Sequence, residues 1–269
     1  MPDMSSRSRV SRPLLAAAAA TLMAAAAVLA GCTRPGGTFE DDAVEPVRIT
    51  AIQIEGGKGN VVVQPGDRDK VEIHRKVTFR GERPQGHTHD IEGSVLRLRT
   101  TCQKRTCDIS YDVRAPRGVR IEGENQTGDL RVSGVSTVTF KLSSGDIEIR
   151  DATAAVDVRT DDGTIEMVDA RGPATLRGRS GDIRALGVRG PALTAETSSG
   201  NLQLELAGPA DVRAKTSDGN IRLVVPPDDY QVQTKARSGK VDVRIATNPE
   251  GRRTLNLETR DGDIVVDPR

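Results

Sequence analysis

Tryptophan is absent from this 269-residue chain, and only two tyrosines and three phenylalanines are present. A core without large rings must be built from Val, Ile, Leu and Thr, which suit a pleated strand separated by turns. The same scarcity counts against a polysaccharide-processing groove, which needs aromatic platforms. Charge of one sign is also missing. Without residues 1–31, which hold three Arg and one Asp, 36 basic residues face 37 acidic ones. Near-neutrality excludes a nucleic-acid binder, which needs a concentrated basic face. Histidine is limited to His74, His87 and His89, and cysteine to Cys32, Cys102 and Cys107. Neither a Ser-His-Asp constellation nor a phosphate-cradling glycine loop is present.

What is present begins with an export signal. Arg7, Arg9 and Arg12 form a basic flank, and Leu14 to Ala30 is a run of 17 residues without charge. That run is at the short end for crossing a bilayer and is rich in weakly hydrophobic alanine. It ends in Leu29-Ala30-Gly31-Cys32, small residues before a cysteine, the mark of a cleavable signal rather than of structure. A cysteine at this edge resembles a lipobox, so Cys32 is expected to carry acyl chains such as palmitate and to hold the mature chain on the outer face of a cell membrane. No adjacent arginine pair supports the twin-arginine route. The expected order is a lipoprotein signal peptide (1–31), then lipidated Cys32 with a flexible polar tether (32–47), then folded chain.

An internal repeat dominates the rest. A polar-Gly turn recurs at Gly128, Gly145, Gly163, Gly181, Gly200, Gly219, Gly239 and Gly262, at spacings of 17, 18, 18, 19, 19, 20 and 23 residues. Two residues after the glycine stand Leu130, Ile147, Ile165, Ile183, Leu202, Ile221, Val241 and Ile264. Four after it stand Val132, Ile149, Met167, Ala185, Leu204, Leu223, Val243 and Val266, and seven before it the column is apolar from Ile121 to Leu255. The residue between the first two columns is polar in seven repeats of eight. This period of two gives each repeat two short strands with one face inward. Gly59, between Ile52 and Val61, is a ninth match. The pattern predicts an all-β fold: a parallel β-solenoid, β-helix-like, of two-strand coils about 18–20 residues long over residues 121–269. An antiparallel meander of hairpins is the other architecture, but it does not require the same chemistry at the same place in every repeat.

Residues 48–120 break the period and are expected to form an irregular N-terminal β section that caps the solenoid. Cys102 and Cys107 flank four residues between two strand-like runs. In an exported chain they are expected to form a disulfide across a hairpin. The spacing is too long for a Cys-x-x-Cys metal or redox pair. His87-Thr88-His89-Asp90 would bind zinc only if a further ligand arrived from elsewhere, and a solvated loop is the simpler reading. The Asp residues beside the turns (Asp129, Asp146, Asp182, Asp263) share their column with Thr164, Asn201, Asn220 and Lys240. That suits turn-stabilising side chains better than a calcium ladder, and the calcium-repeat pattern Gly-Gly-x-Gly-x-Asp is missing. No metal site, cofactor or catalytic residue is assigned.

The Ser/Asp-Gly-Asp/Asn-Ile-x-Ile/Leu turns, together with Val113-Arg114-Ala115-Pro116 and Val224-Val225-Pro226 leading into further repeats, resemble the bacterial putative-adhesin family over roughly residues 48–267. That resemblance implies a β-strand-repeat domain, often borne by lipoproteins, and surface adhesion without a defined active site. The leading expectation is a non-catalytic, adhesin-like module that binds a cell-surface glycan or envelope protein. A structural or envelope-associated partner protein without its own ligand is the alternative, and a polysaccharide-active β-helix enzyme the third class. The chain is expected to be a monomer, because Asp267-Pro268-Arg269 would blunt the edge that Ile264-Val265-Val266 offers at the end of the stack.

Overall fold

The computed structural model describes residues 36–102 and 107–269. The signal segment and Cys32 lie outside the described residues. The N-terminal strands are β1 (Gly36–Glu45), β2 (Ala51–Glu55), β3 (Val61–Pro65), β4 (Val71–Arg80), β5 (His89–Glu92), β6 (Val95–Arg99) and β7 (Cys107–Ala115). Then follow β8 (Arg120–Thr127), β9 (Leu130–Ser133), β10 (Val138–Ser144), β11 (Ile147–Arg150), β12 (Val156–Asp162), β13 (Ile165–Val168), β14 (Ala174–Ser180) and β15 (Ile183–Val188). The last are β16 (Ala192–Glu196), β17 (Leu202–Leu206), β18 (Asp211–Asp218), β19 (Ile221–Val225), β20 (Tyr230–Ser238), β21 (Val241–Val243), β22 (Arg253–Asp261) and β23 (Ile264–Pro268). No helix occurs among the described residues.

The strands form two sheets. One has 12 strands in the order β1-β4-β7-β3-β9-β11-β13-β15-β17-β19-β23-β21, the other 11 in the order β20-β22-β18-β16-β14-β12-β10-β8-β2-β6-β5. Successive coils each give one strand to either sheet, and equivalent residues are register partners: Val138 with Val156, Val156 with Ala174, Ile147 with Ile165. Parallel stacking therefore converts the apolar columns of the sequence into one continuous core, with Ile121, Phe140, Val158, Leu176, Ile183, Leu204 and Leu257 all buried. The fold is the expected β-solenoid.

The stack is longer than the expected boundary at residue 121. β2 lies parallel to β8, and β3 to β9, so the ninth glycine match is itself a coil. β6 and β7 form another, lying parallel to β2 and β3. Chain order is broken at both ends. The coil β2–β3 sits inside the later coil β6–β7, and the final coil β22–β23 sits between β18–β19 and β20–β21. Burial explains the second exchange. The inward residues of β22 and β23 are Leu255, Leu257, Ile264 and Val266, all fully buried. Their register partners on β20 and β21 are Val232, Thr234, Val241 and Val243. The coil with more apolar surface takes the position buried on both sides.

Three expectations are corrected. The segment expected to be a tether contains β1, which pairs antiparallel with β4 from Gly36 opposite Arg80 to Glu45 opposite Val71. Its inward positions include Phe39, Asp41 and Ala43, so no apolar alternation announced it. The cysteines do not flank a hairpin, because β6 and β7 belong to different sheets and form the two sides of one coil. Ile264 to Val266 are not an edge either: β23 is paired on both sides, with β19 and with β21. The edge strands at that end are β20 and β21, so Asp267-Pro268-Arg269 does not blunt it.

Candidate functional site

The repeated polar residues of the turns were the first candidates for chemistry, and the structure shows what holds them. Except at Thr164 and at Lys240, the residue after the turn glycine turns its side-chain oxygen to the backbone N–H of the equivalent residue one coil further on. Asn60 Oδ1 accepts from Asp129 N at 2.9 Å, Asp129 from Asp146 N at 3.1 Å, and Asp146 from Thr164 N at 2.8 Å. Beyond Thr164 the ladder resumes: Asp182 accepts from Asn201 N, Asn201 from Asn220 N, Asn220 from Asp263 N, and Asp263 from Lys240 N, at 2.8–3.0 Å. Only an acceptor oxygen at one reach from the backbone is required, which is why Asp and Asn interchange in this column. Among the described residues no group of three or more His, Cys, Asp or Glu is placed to hold a metal ion.

The glycines themselves are fixed by this stacking. Gly181 has φ +130°, and a Cβ there would collide with the carbonyl oxygen of Gly163 in the coil beneath. A second ladder, which the sequence reading missed, secures those carbonyls. Three residues before the turn glycine, the buried Thr160, Thr197, Thr216 and Thr259 donate from Oγ1 to Gly145 O (3.2 Å), Gly181 O (3.2 Å), Gly200 O (3.0 Å) and Gly219 O (3.0 Å). Asn125 Nδ2 does the same to Gly59 O at 2.8 Å. The signal was a column of Asn, Leu, Thr, Gly, Thr, Thr, Ala and Thr, hidden because Leu, Gly and Ala interrupt it.

The histidine cluster belongs to a polar network at the β1 end. Arg75 is buried on β4, where its Nε donates to Asp41 Oδ1 at 2.9 Å and its Nη1 to Thr88 Oγ1 at 2.9 Å. The Arg75 guanidinium holds the Asp41 carboxyl below the ordinary carboxylate range. Tyr111 Oη lies 2.8 Å from Thr88 O and 3.0 Å from Arg99 O, and burial pushes its pKa up to about 12. His87 and His89 have ring centroids 6.2 Å apart. Burial pushes the His89 pKa down, with Arg75 adding to the effect. Asp90 accepts from Arg99 Nη2 at 2.9 Å. His74 stands on the other sheet beside Asp42 (Nδ1 to Oδ1, 2.7 Å), whose hydrogen bond raises its pKa. The three histidines and Asp90 therefore assemble no zinc site. Cys102 and Cys107 come together with Cα atoms 6.0 Å apart, at disulfide distance, on the corner between β6 and β7.

What the turns do not hold is displayed on the two outer faces. On the 12-stranded sheet charges of opposite sign meet across rungs: Arg131 with Glu148 at 3.5 Å, Arg150 with Glu166 at 3.0 Å. On the 11-stranded sheet Lys141, Arg159 and Arg177 are register partners on three consecutive strands. Beside them a groove of about 290 Å³ is lined by Arg159, Arg177, Arg179, Lys215, Ser198 and Ser217, among others.

A search of the curated proteins finds no match. Several solved structures are similar, among them the following two. A putative adhesin from Bacteroides fragilis shares 13% identity at a TM-score of 0.42, covering 87% of this chain and 97% of that one. A putative cell adhesion protein from Clostridium sporogenes shares 8% identity at a TM-score of 0.28, covering 87% and 100%. A family model matches residues 49–267, all the solenoid coils but not β1. The chain belongs to the Toastrack DUF4097 family.

Proposed function

We propose that this protein is a membrane-anchored extracytoplasmic lipoprotein whose solenoid is a non-catalytic, adhesin-like binding module. One observation carries the reading: the repeated Asp, Asn and Thr side chains point their polar atoms at the backbone of adjoining coils, and what remains for a partner is the outer surface of the two sheets. Recognition by such a scaffold runs along an extended surface and the grooves in it. Anchoring rests on the Arg-flanked apolar run and on Cys32. Only three residues, Thr33 to Pro35, separate Cys32 from the first residue of β1. A fully extended link of that length reaches about 14 Å, so the lipid would hold the β1 end of the solenoid close to the bilayer.

The test is expression of the full chain in a bacterial host fed a labelled fatty acid. Wild type is expected to take up label and to sediment with membranes. Cys32→Ser is expected to lose the label and to leave the acylated fraction. Equal labelling of the two chains would remove the anchor from the reading.

A further inference from the structure

We infer that the groove on the 11-stranded sheet binds an anionic polysaccharide, through carboxylate or phosphate groups carried along its length. This rests on the binding-module reading above and names its ligand class. Three observations converge on the groove. The first is an unfavourable arrangement of charge. Lys141, Arg159 and Arg177 face each other on consecutive rungs roughly 4.8 Å apart, and like charges directly opposite one another destabilise a sheet. On the opposite face the like-charged register partners Glu148 and Glu166 are bridged by one cation, Arg150, which reaches both carboxylates.

The second is incomplete neutralisation. Asp161 Oδ1 serves both Arg159 and Arg179, at 3.2 Å from each. Arg177 reaches only Asp157, at 3.2 Å. No ion pair holds Lys141 among the described residues. Guanidinium groups sharing one carboxylate keep N–H donors for a second anion, and the planar fork suits carboxylate or phosphate.

The third is shape. β14 carries Gly178 where its neighbour β12 carries Thr160. β16 ends at Glu196, and the ladder returns only at isolated bridges through Ser199. The interrupted rungs form the groove of about 290 Å³, and Ser198 and Ser217 bring hydroxyls to it. No aromatic side chain lines it, so a polymer bound there is held by charge and hydrogen bonds and not by ring stacking. A concave site whose basic lining is interrupted by Glu196 also suits spaced anionic groups with sugar hydroxyls between them better than a continuous plane of lipid phosphates.

The experiment is calorimetric titration of the full, detergent-extracted chain with polygalacturonate and with a phosphate-bearing polysaccharide, beside neutral dextran. Binding to one or both charged polymers is expected, weakening as sodium chloride rises. The variant Arg159→Gln/Arg177→Gln/Arg179→Gln is expected to lose roughly tenfold or more in affinity, the scale of one charge-assisted hydrogen bond. Arg184→Gln/Arg222→Gln, which removes charge from the other face, is expected to bind as wild type. Thermal melts of both variants establish that they fold, and a triple variant that melts early is replaced by Arg177→Lys, which keeps charge but loses the fork.

The assignment is overturned if the groove variant binds as well as wild type. It is equally overturned if a DNA oligonucleotide or anionic vesicles compete more strongly than polysaccharide. Silence with both charged polymers also overturns it, yet leaves the binding-module reading standing where dextran or another neutral envelope component binds instead.

Discussion

At one end of the solenoid the 12-stranded sheet finishes in the antiparallel strands β4 and β1, and the 11-stranded sheet in the antiparallel β5. At the other end both sheets finish in parallel strands, β21 and β20. The first end is closed by Arg75, Asp41, Thr88 and Tyr111, which tie β1, β4, β7 and the segment before β5 together. The second is left open: Val241 is 45% exposed, while every equivalent residue from Leu130 to Ile264 is buried. The difference teaches that a coil in such a stack owes its order to its neighbours more than to its own sequence. Coil β20–β21 keeps the repeat motif but has one neighbour, and its core residues are only half covered.

The largest effect expected from breaking this contrast follows removal of residues 253–269. That deletion takes away β22 and β23, the only sheet neighbours of β20 and β21, with four buried apolar side chains each contributing about 1.5–3 kcal/mol. Amide hydrogen exchange is expected to show protection vanishing from residues 230–243, which the deletion does not touch. Retained protection there would mean that the coils stack in chain order.

A pair of core substitutions sharpens the comparison. Leu223→Ala, in an internal coil, is expected to cost about 2–5 kcal/mol, because the stack cannot collapse around the cavity. Val243→Ala stands in the same column of the open coil and is expected to cost less than about 1 kcal/mol, read by urea denaturation. Equal costs would remove the distinction between internal and terminal coils.

The closed end has a pH signature. Asp41 has its folded pKa lowered from 3.8, chiefly by its hydrogen bond to Arg75. A lowered folded value contributes stability that is present above the unfolded pKa and lost as pH falls through the folded one. The cap is therefore expected to loosen below about pH 4, with exchange rising first in β1 and β5. Asp41→Asn should cost about 1–2 kcal/mol at neutral pH, less than a fully buried pair because Asp41 is 39% exposed. It should also flatten the pH dependence below about pH 4. An unchanged acid profile would show that the pair does not hold the cap.

The smallest effect lies in the internal corners. Asp151 adopts φ 55°, a left-handed conformation. Asp151→Gly is expected to raise stability by about 0.5 kcal/mol, relief of strain being partly offset by a more flexible unfolded chain. Asp169, at φ 57°, also holds Arg189 at 2.8 Å, so Asp169→Gly is expected to gain nothing.

The internal coils were legible because one signal, the turn glycine with apolar residues two and four positions later, is forced by stacking: each coil must repeat what the coil beneath it accepts. The ends were not. β1 presents Asp41 inward to a buried arginine, and a polar contact leaves no periodicity. The exchange of the last two coils depends on comparing Leu255 and Leu257 with Val232 and Thr234, a difference in apolar surface that local patterning does not rank. The turn Asp residues were legible as turn residues, and their register bonds to the next coil supply the reason. The groove was not legible, since Arg159, Arg177 and Arg179 become neighbours of Ser198 and Lys215 only once the rungs are in register.

The most direct measurement is a binding screen of the full chain against envelope polysaccharides and proteins, run with calcium and again with chelator. Saturable binding to one polysaccharide class, equal in both conditions, is the expected result, because the turn carboxylates hold backbone N–H groups and leave recognition to the faces. Binding that disappears with chelator would contradict that assignment of the turn ladder, and no binding in either condition would contradict the binding module itself.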